Sequence, residues 1–343
     1  MLGARDAALT AAIRQAGSQP LAPLDLEAPL PTGPGEIWHI EGTELETVVD
    51  EPYRRCVLDV GVREGSLAAS GLSVVFTPLH GVGHHGVVPV LEARGVEVDC
   101  VAAQLDPDGG RFSTVESANP EDPGAFALGV ELARTRGADL VIATDPDADR
   151  LGAFVRDLRG DYHFVDGNRL GALMLDHVLR SQQPPSHGVV LTTLVTTPLV
   201  RRLGTTGGVE VVDDLLVGFK HHAGYAEERA DRTNVFSVEE SHGYVRGDAV
   251  RDKDGAMAAL LLCECAAAVK LEGETLHERL REIWRTHGYH REQTTSIYAR
   301  GQEGKAAIDR LMEAWRSQPP REFAGLRVSS TEDRSAPRNT GSR

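Results

Sequence analysis

The segment Ala143-Thr144-Asp145-Pro146-Asp147-Ala148-Asp149-Arg150 constrains this chain more than any other stretch. Its three carboxylates stand at alternate positions directly after the apolar run Ala138-Asp139-Leu140-Val141-Ile142. Alternate residues of an extended segment project to the same side. Three aspartates crowded there repel one another unless a cation sits between them, and Pro146 stiffens the turn beforehand. The segment therefore reads as the end of a buried strand carrying a preformed site for a hard divalent cation such as Mg²⁺, with Asp145, Asp147 and Asp149 as ligands. An EF-hand would need Gly after the third acidic residue and Glu at its twelfth position. Arg150 and Arg156 stand there instead. A solvated acidic turn is the bland alternative, and the apolar strand before the loop and Arg150-Leu151-Gly152 after it weigh against that.

The length of 343 residues suggests two or three domains. A net charge of −15, with no basic stripe and no arginine-rich arm, excludes nucleic acid as a partner. An acidic chain that handles an anionic ligand must gather its few cations locally. Cys56, Cys100, Cys263 and Cys265 form no zinc-type pair and read as small apolar residues in a reducing cytoplasm. The first residues have an early acid and no long apolar core, so they do not read as a signal peptide. No stretch has the length to cross a bilayer, and no membrane partner is expected.

Residues 6–16 read as a short amphipathic helix ended by Gly17, followed by a linker with Pro20, Pro23, Pro29, Pro31 and Pro34. From Gly71 the pattern alternates. A strand at 72–77 leads to the glycine-rich turn Pro78-Leu79-His80-Gly81-Val82-Gly83, then a helix at 84–94 and a strand at 96–101. A polar loop and a helix ending near Arg136 precede the strand that delivers the aspartates. A second cycle starts near Asp166: a helix at 169–179, a strand at 189–193, a helix after Thr197-Pro198, and strands at 209–212 and 234–238. Helices at 255–269 and 274–287 follow, then a strand at 294–298 and a helix at 305–316 that open a third, short unit. Such alternation implies α/β domains on mainly parallel sheets, with ligands beyond the C-terminal strand ends.

Each cycle offers one polar loop. The second supplies Glu239 and Ser241 with His242, and carboxylate beside hydroxyl suits the vicinal hydroxyls of a sugar. A strand-end cap with solvated acids is the competing reading there. Lys220, Arg246, Arg251 and Lys253 supply the local positive charge an anionic ligand needs, or else pair with Asp248, Asp252 and Asp254. His80, His84 and His85 flank Gly81 and Gly83 at a helix start, where free amides hold anions, or they pack as turn residues on the sheet.

These residues carry a resemblance. Thr77 to Gly83, Thr144 to Arg150, Gly218-Phe219-Lys220, Glu239 to Tyr244 and Val250 to Gly255 occur in the order seen in the α-D-phosphohexomutase superfamily. The chain resembles its phosphoglucomutase/phosphomannomutase branch, which includes phosphopentomutases; Pro107-Asp108-Gly109, Phe112 to Val115 and Asn119-Pro120-Glu121 add to the match. The resemblance implies tandem α/β domains on mixed or parallel sheets, with incomplete first and fourth domains. It implies a cytoplasmic isomerase that moves a phosphoryl group between the 1- and 6- (or 5-) positions of a sugar phosphate. Mg²⁺ on Asp145, Asp147 and Asp149 and a glucose 1,6-bisphosphate type of activator go with that activity. Arg150, Lys253 and His242 fall at or near positions that approach the transferring phosphoryl group. Lys220, Glu239, Ser241, Arg251 and His80 fall at substrate-binding positions.

The family's phosphorylated serine lies in a Ser-His-Asn-Pro string, and its fourth-domain phosphate loop is of Arg-Pro-Ser-Gly-Thr-Glu type. Neither occurs here. The resemblance divides the chain into a first-domain remnant and linker (1–42), domain 2 with the metal loop (43–164), domain 3 with the sugar loop (165–290) and an incomplete domain 4 (291–343). Two functions follow as expectations: a mutase portion whose phosphate donor lies elsewhere, or a non-catalytic binder of Mg²⁺ and sugar phosphates partnering a full-length homologue. An unrelated Mg²⁺ phosphatase is a third, for which no aspartate nucleophile stands out.

Overall fold

A computed structural model of the protein describes residues 8, 9, 11, 12, 15, 42–63, 65–106, 108–293, 299 and 301–333. The chain divides into two compact units, Met1–Arg55 and Cys56–Arg343. Described residues of the first unit are helical: 8, 9, 11, 12, 15 and 42–50. The rest of the helix expected at 6–16, and the proline-rich linker, lie outside the described residues. Helix α1 (Glu51–Asp59) runs across the boundary between the units.

The second unit holds two sheets. After α2 (Ser66–Ser70), the first sheet is built from β1 (Ser73–Thr77), β2 (Glu97–Cys100), β3 (Leu140–Thr144), β4 (Leu151–Arg156) and β5 (Tyr162–Val165), in the order β2-β1-β3-β4-β5. β1 runs parallel to β2 and β3, whereas β4 and β5 are antiparallel additions. Helix α3 (Gly83–Ala93) connects β1 to β2, and α4 (Ala127–Arg136) leads into β3. Val75 and Val141 pack with Phe126, Val130 and Ala133 in one buried cluster on the α4 side. Gly137 ends α4 in the left-handed region (φ 71°), donating to the Ala133 carbonyl, which lets the chain turn directly into β3.

The second sheet has the order β7-β6-β8-β9, from β6 (Gly188–Thr193), β7 (Glu210–Leu215), β8 (Thr233–Glu239) and β9 (Gly243–Val245). β6 is parallel to β7 and β8, and β9 returns antiparallel along β8. Its helices are α5 (Gly167–Ser181), α6 (Pro198–Thr206) and α7 (Phe219–Glu228). Asp166 caps α5 through Arg169 N–H, and Thr197 with Pro198 starts α6. Helix α8 (Gly255–Leu271) is apolar apart from Glu264 and Lys270, and 0 % exposure at Leu260, Leu261 and Leu262 shows why: it packs between the two halves, against α2, α3, α5, β3, β4 and β9. Asp254 caps it through Met257 N–H at 2.8 Å. Helix α9 (Leu276–His287) lies on α5 and α8. Beyond it come α10 (Gly301–Ser317) and a small hairpin of β10 (Glu322–Phe323) and β11 (Leu326–Arg327).

The alternation read from the sequence is present. The sheets are mixed, as the resemblance allowed; β4, β5 and β9 were not expected as strands, because each follows a polar loop or turn instead of a helix. Gly218-Phe219-Lys220 opens a helix, α7. The strand expected at 294–298 lies outside the described residues.

Candidate active site

The aspartate loop sits where β3 ends, and three backbone contacts hold it. Val82 N–H donates to the Pro146 carbonyl at 2.9 Å, Gly255 N–H to the Ala148 carbonyl at 3.0 Å, and Ala148 N–H to the Asp145 carbonyl at 3.0 Å. Only glycine fits at two of these junctions. A Cβ on Gly81 would lie 2.2 Å from Pro146 Cα, and one on Gly255 would lie 2.6 Å from the Ala148 oxygen. Ala148 itself holds a left-handed backbone (φ 61°), as do Leu79 (47°), His80 (65°) and His242 (66°) in the neighbouring loops. Strain of this kind persists where surrounding contacts over-determine the backbone.

Within that frame Asp145, Asp147 and Asp149 bring carboxylate oxygens to within 4.8 Å of one another. Asp145 is buried and accepts from Arg150 twice, from N–H at 3.0 Å and Nε at 2.6 Å. Arg150 also reaches Glu121 at 2.9 Å and Asn119 at 3.3 Å. Burial raises the Asp145 carboxyl above the usual range even with Arg150 beside it. Five carboxylates (Glu121, Asp145, Asp147, Asp149 and Asp252) surround two cations, Arg150 and Lys253. That excess of negative charge in an all-oxygen donor set fits a hard divalent cation.

Lys253 connects this loop to the second polar loop. Its Nζ lies 2.7 Å from Asp149 and 3.2 Å from Asp252, and 5.5 Å above the Phe219 ring. Its stem rests on Gly243, where a Cβ would lie 2.4 Å from Lys253 Cδ. Burial lowers the Lys253 pKa, but the bonds to Asp149 and Asp252 outweigh it, so the ammonium is held above its ordinary value. The second loop is stitched to the first by Leu151 N–H donating to the His242 carbonyl at 3.0 Å.

Glu239 ends β8, 3 % exposed, with one carboxylate oxygen accepting Gly218 N–H at 2.7 Å. Its other oxygen, among the described residues, has only Ser241 Oγ, at 3.5 Å. Burial raises its pKa. The adjacent Glu240 accepts from Thr196 at 3.0 Å and Thr193 at 3.3 Å, which holds the loop to the end of β6. The metal triad, Arg150, Lys253, Glu239 and Ser241 thus belong to two loops joined at one place.

Two expected site residues have other work. His80 is buried, donates from Nδ1 to the Asp106 carbonyl at 2.6 Å and accepts at Nε2 from Thr114 Oγ at 2.8 Å. With both ring nitrogens engaged it braces the turn instead of facing a ligand. His242 is 2 % exposed, its Nδ1–H donates to the Leu151 carbonyl at 3.0 Å, and burial drives its pKa to about 4. It is a neutral joint between the loops, not an acid or base in the cleft. Lys220 is exposed on the first turn of α7, and Arg251 is exposed with Glu227 at 3.8 Å. Neither is gathered to the triad by any contact among the described residues. Reading the sequence did not assign roles to Glu121, Asn119, Glu240, Thr193, Thr196, Phe219 and His222. Asn119, Glu121, Phe219 and Glu240 stand inside matched motifs without a role of their own, and Thr193, Thr196 and His222 carry no spacing signal. A cavity of about 370 Å³ lies at the opposite end of β3, lined by Asp139, Arg156, Lys270 and Leu276 among others, away from these loops.

Two family models match the chain. The phosphoglucomutase/phosphomannomutase alpha/beta/alpha domain II model matches residues 52–160, and the corresponding domain III model matches residues 166–287. The chain belongs to the phosphoglucomutase/phosphomannomutase family. Its aspartate loop lies in the domain II match and its Glu239–Ser241 loop in the domain III match. It is 39% identical over 276 residues to a phosphoglucomutase of Staphylococcus haemolyticus, covering 78% of this chain and 49% of that protein. It is 39% identical over 290 residues to one of Staphylococcus aureus, covering 82% and 52%. A crystal structure of a protein assigned as a phosphomannomutase of Thermus thermophilus shares the fold, with a TM-score of 0.58 at 23% identity over 70% of this chain and 51% of that one. The chain thus spans about half the length of the curated relatives it matches. Among the described residues no helix is long and apolar enough to cross a membrane.

Proposed function

We propose that this chain supplies the metal loop and the sugar loop of a phosphosugar mutase. The reaction class is isomerisation by phosphoryl transfer between the 1- and 6- (or 5-) positions of a hexose or pentose phosphate, in the cytoplasm. The observation that carries it is the convergence of Asp145, Asp147 and Asp149 beside Arg150 and Lys253. In this reading residues 43–164 are the metal-binding domain and 165–290 the sugar-recognising one, flanked by partial domains at 1–42 and 291–343.

The residues present derive most of the chemistry. Phosphoryl transfer spreads negative charge over three oxygens, and catalysis is positioning plus electrostatic stabilisation. Arg150 is oriented by Asp145 and Glu121, and Lys253 by Asp149, so both cations are held before a ligand arrives. The less engaged oxygen of Glu239 and the Ser241 hydroxyl are free to pair with vicinal sugar hydroxyls. Mg²⁺ held by Asp145, Asp147 and Asp149 would withdraw charge from the phosphoryl oxygens and offset most of the loop's excess of negative charge. His242 and His80 act by holding the loops, and Lys220 and Arg251 are exposed cations for the substrate's second phosphate.

No Ser-His-Asn-Pro string occurs in the chain. That observation favours a second reading, in which the chain binds Mg²⁺ and sugar phosphate without turnover and partners a full-length homologue. One experiment separates the two: conversion of glucose 1-phosphate to glucose 6-phosphate is assayed with glucose 1,6-bisphosphate and Mg²⁺, alongside calorimetry of Mg²⁺ binding. Turnover by the chain alone would exclude the binder and would also sink the expectation that the phosphate donor lies elsewhere. Metal binding that vanishes in Asp147→Ala, without turnover, supports the binder. Absence of any response to Mg²⁺ would defeat both.

A further inference from the structure

We propose that His222 is a positioning residue for Glu239, holding its inner carboxylate oxygen so that the outer one meets the sugar. The inference rests on the reading of Glu239 as a sugar-binding carboxylate. His222 stands in the first turn of α7 and is 3 % exposed. Among the described residues neither ring nitrogen has a hydrogen-bond partner. Buried polar atoms almost always have one, so an unpartnered buried imidazole points to a contact completed in another state of the site. Its Nε2 lies 3.7 Å from the acceptor Glu239 Oε1. That oxygen already accepts Gly218 N–H and has a second lone pair. A closing of under ~1 Å would make the Nε2–H···Oε1 hydrogen bond.

The plane of the imidazole is set from outside. His222 stacks on Phe219 with ring centroids 4.4 Å apart and planes 10° apart. Phe219 lies beneath Lys253 Nζ and against Gly243, where a Cβ would come within 3.1 Å of its Cε2. Lys253 in turn holds Asp149. The ring that faces Glu239 is therefore stacked in series with the metal loop. A cavity of about 20 Å³ beside His222 is also lined by Asn234 and Ser237. With two N–H groups on Oε1, the carboxylate cannot swing, and Oε2 keeps its direction towards the sugar.

The test has two arms on the whole chain. In the first, ¹H–¹⁵N correlation of the histidine side chains reads the contact without any ligand. A protonated Nε2 on His222 whose resonance moves in Glu239→Gln is the expected result; an unprotonated Nε2, or one indifferent to that substitution, overturns the proposal. In the second, glucose 1-phosphate with Mg²⁺ is titrated calorimetrically into wild type, His222→Phe and His222→Gln. Phenylalanine keeps the stacking and removes the donor, so affinity should fall about tenfold, and glutamine should restore most of it. Equal affinity in all three overturns the positioning role. Wild type that binds no glucose 1-phosphate while His222 still shows the Glu239-dependent resonance would refute the sugar-site reading and leave the contact itself established.

Discussion

Asp145 and Asp147 sit two residues apart in one loop yet differ in what they hold up. Asp145 is buried and accepts two bonds from Arg150, whereas Asp147 is exposed. Asp145→Ala would leave the Arg150 guanidinium, only 27% exposed, without its main partner. The expected cost is about 2 kcal/mol, below the range for fully buried pairs because water still reaches Arg150. Asp147→Ala should stay within about 0.5 kcal/mol of wild type while abolishing metal binding. Urea unfolding without metal compares the two. The acids themselves could be read from the sequence, since alternation and an apolar run are local signals. The support of Arg150 could not, because Glu121 lies far away in the chain and is brought in by folding.

At the scale of elements, the glycine turn and α8 explain why the site is where it is. Gly81 carries no Cβ because Pro146 occupies that space. Gly81→Ala should cost about 1–3 kcal/mol through forced backbone displacement. It should also weaken Mg²⁺ binding about tenfold, as loss of support around metal ligands does. Calorimetry against a folded, melted control checks both effects. Leu261 is 0 % exposed in α8 and packs where the two halves meet. Leu261→Ala should cost about 3 kcal/mol in chemical denaturation, and a change under about 1 kcal/mol would contradict its place in the core. Helix bounds were legible because caps such as Asp254 and terminators such as Gly137 act on their own neighbours. β4, β5 and β9 were not, because a strand that follows a polar loop is fixed by the strand it pairs with.

For the whole molecule, burial of histidine makes stability depend on pH. Burial lowers both His222 and His242 from 6.5 to about 4 in the folded state. The unfolded chain therefore takes up protons first as pH falls, and stability is lost between about 6.5 and about 4, levelling below. Stability should be lower at pH 5 than at pH 7 by on the order of 2 kcal/mol per histidine, and denaturant unfolding at the two values reads it. A flat profile would place these rings in contact with water. The sequence by itself determined the α/β alternation, the family and the aspartate triad, since periodicity, ordered motifs and adjacent ligands act over a few residues. Only the tertiary structure decided that Lys253 spans both loops, that His80 and His242 brace the backbone, and that His222 faces Glu239. Those facts depend on which strand ends lie side by side, and strand pairing joins residues that no local spacing connects.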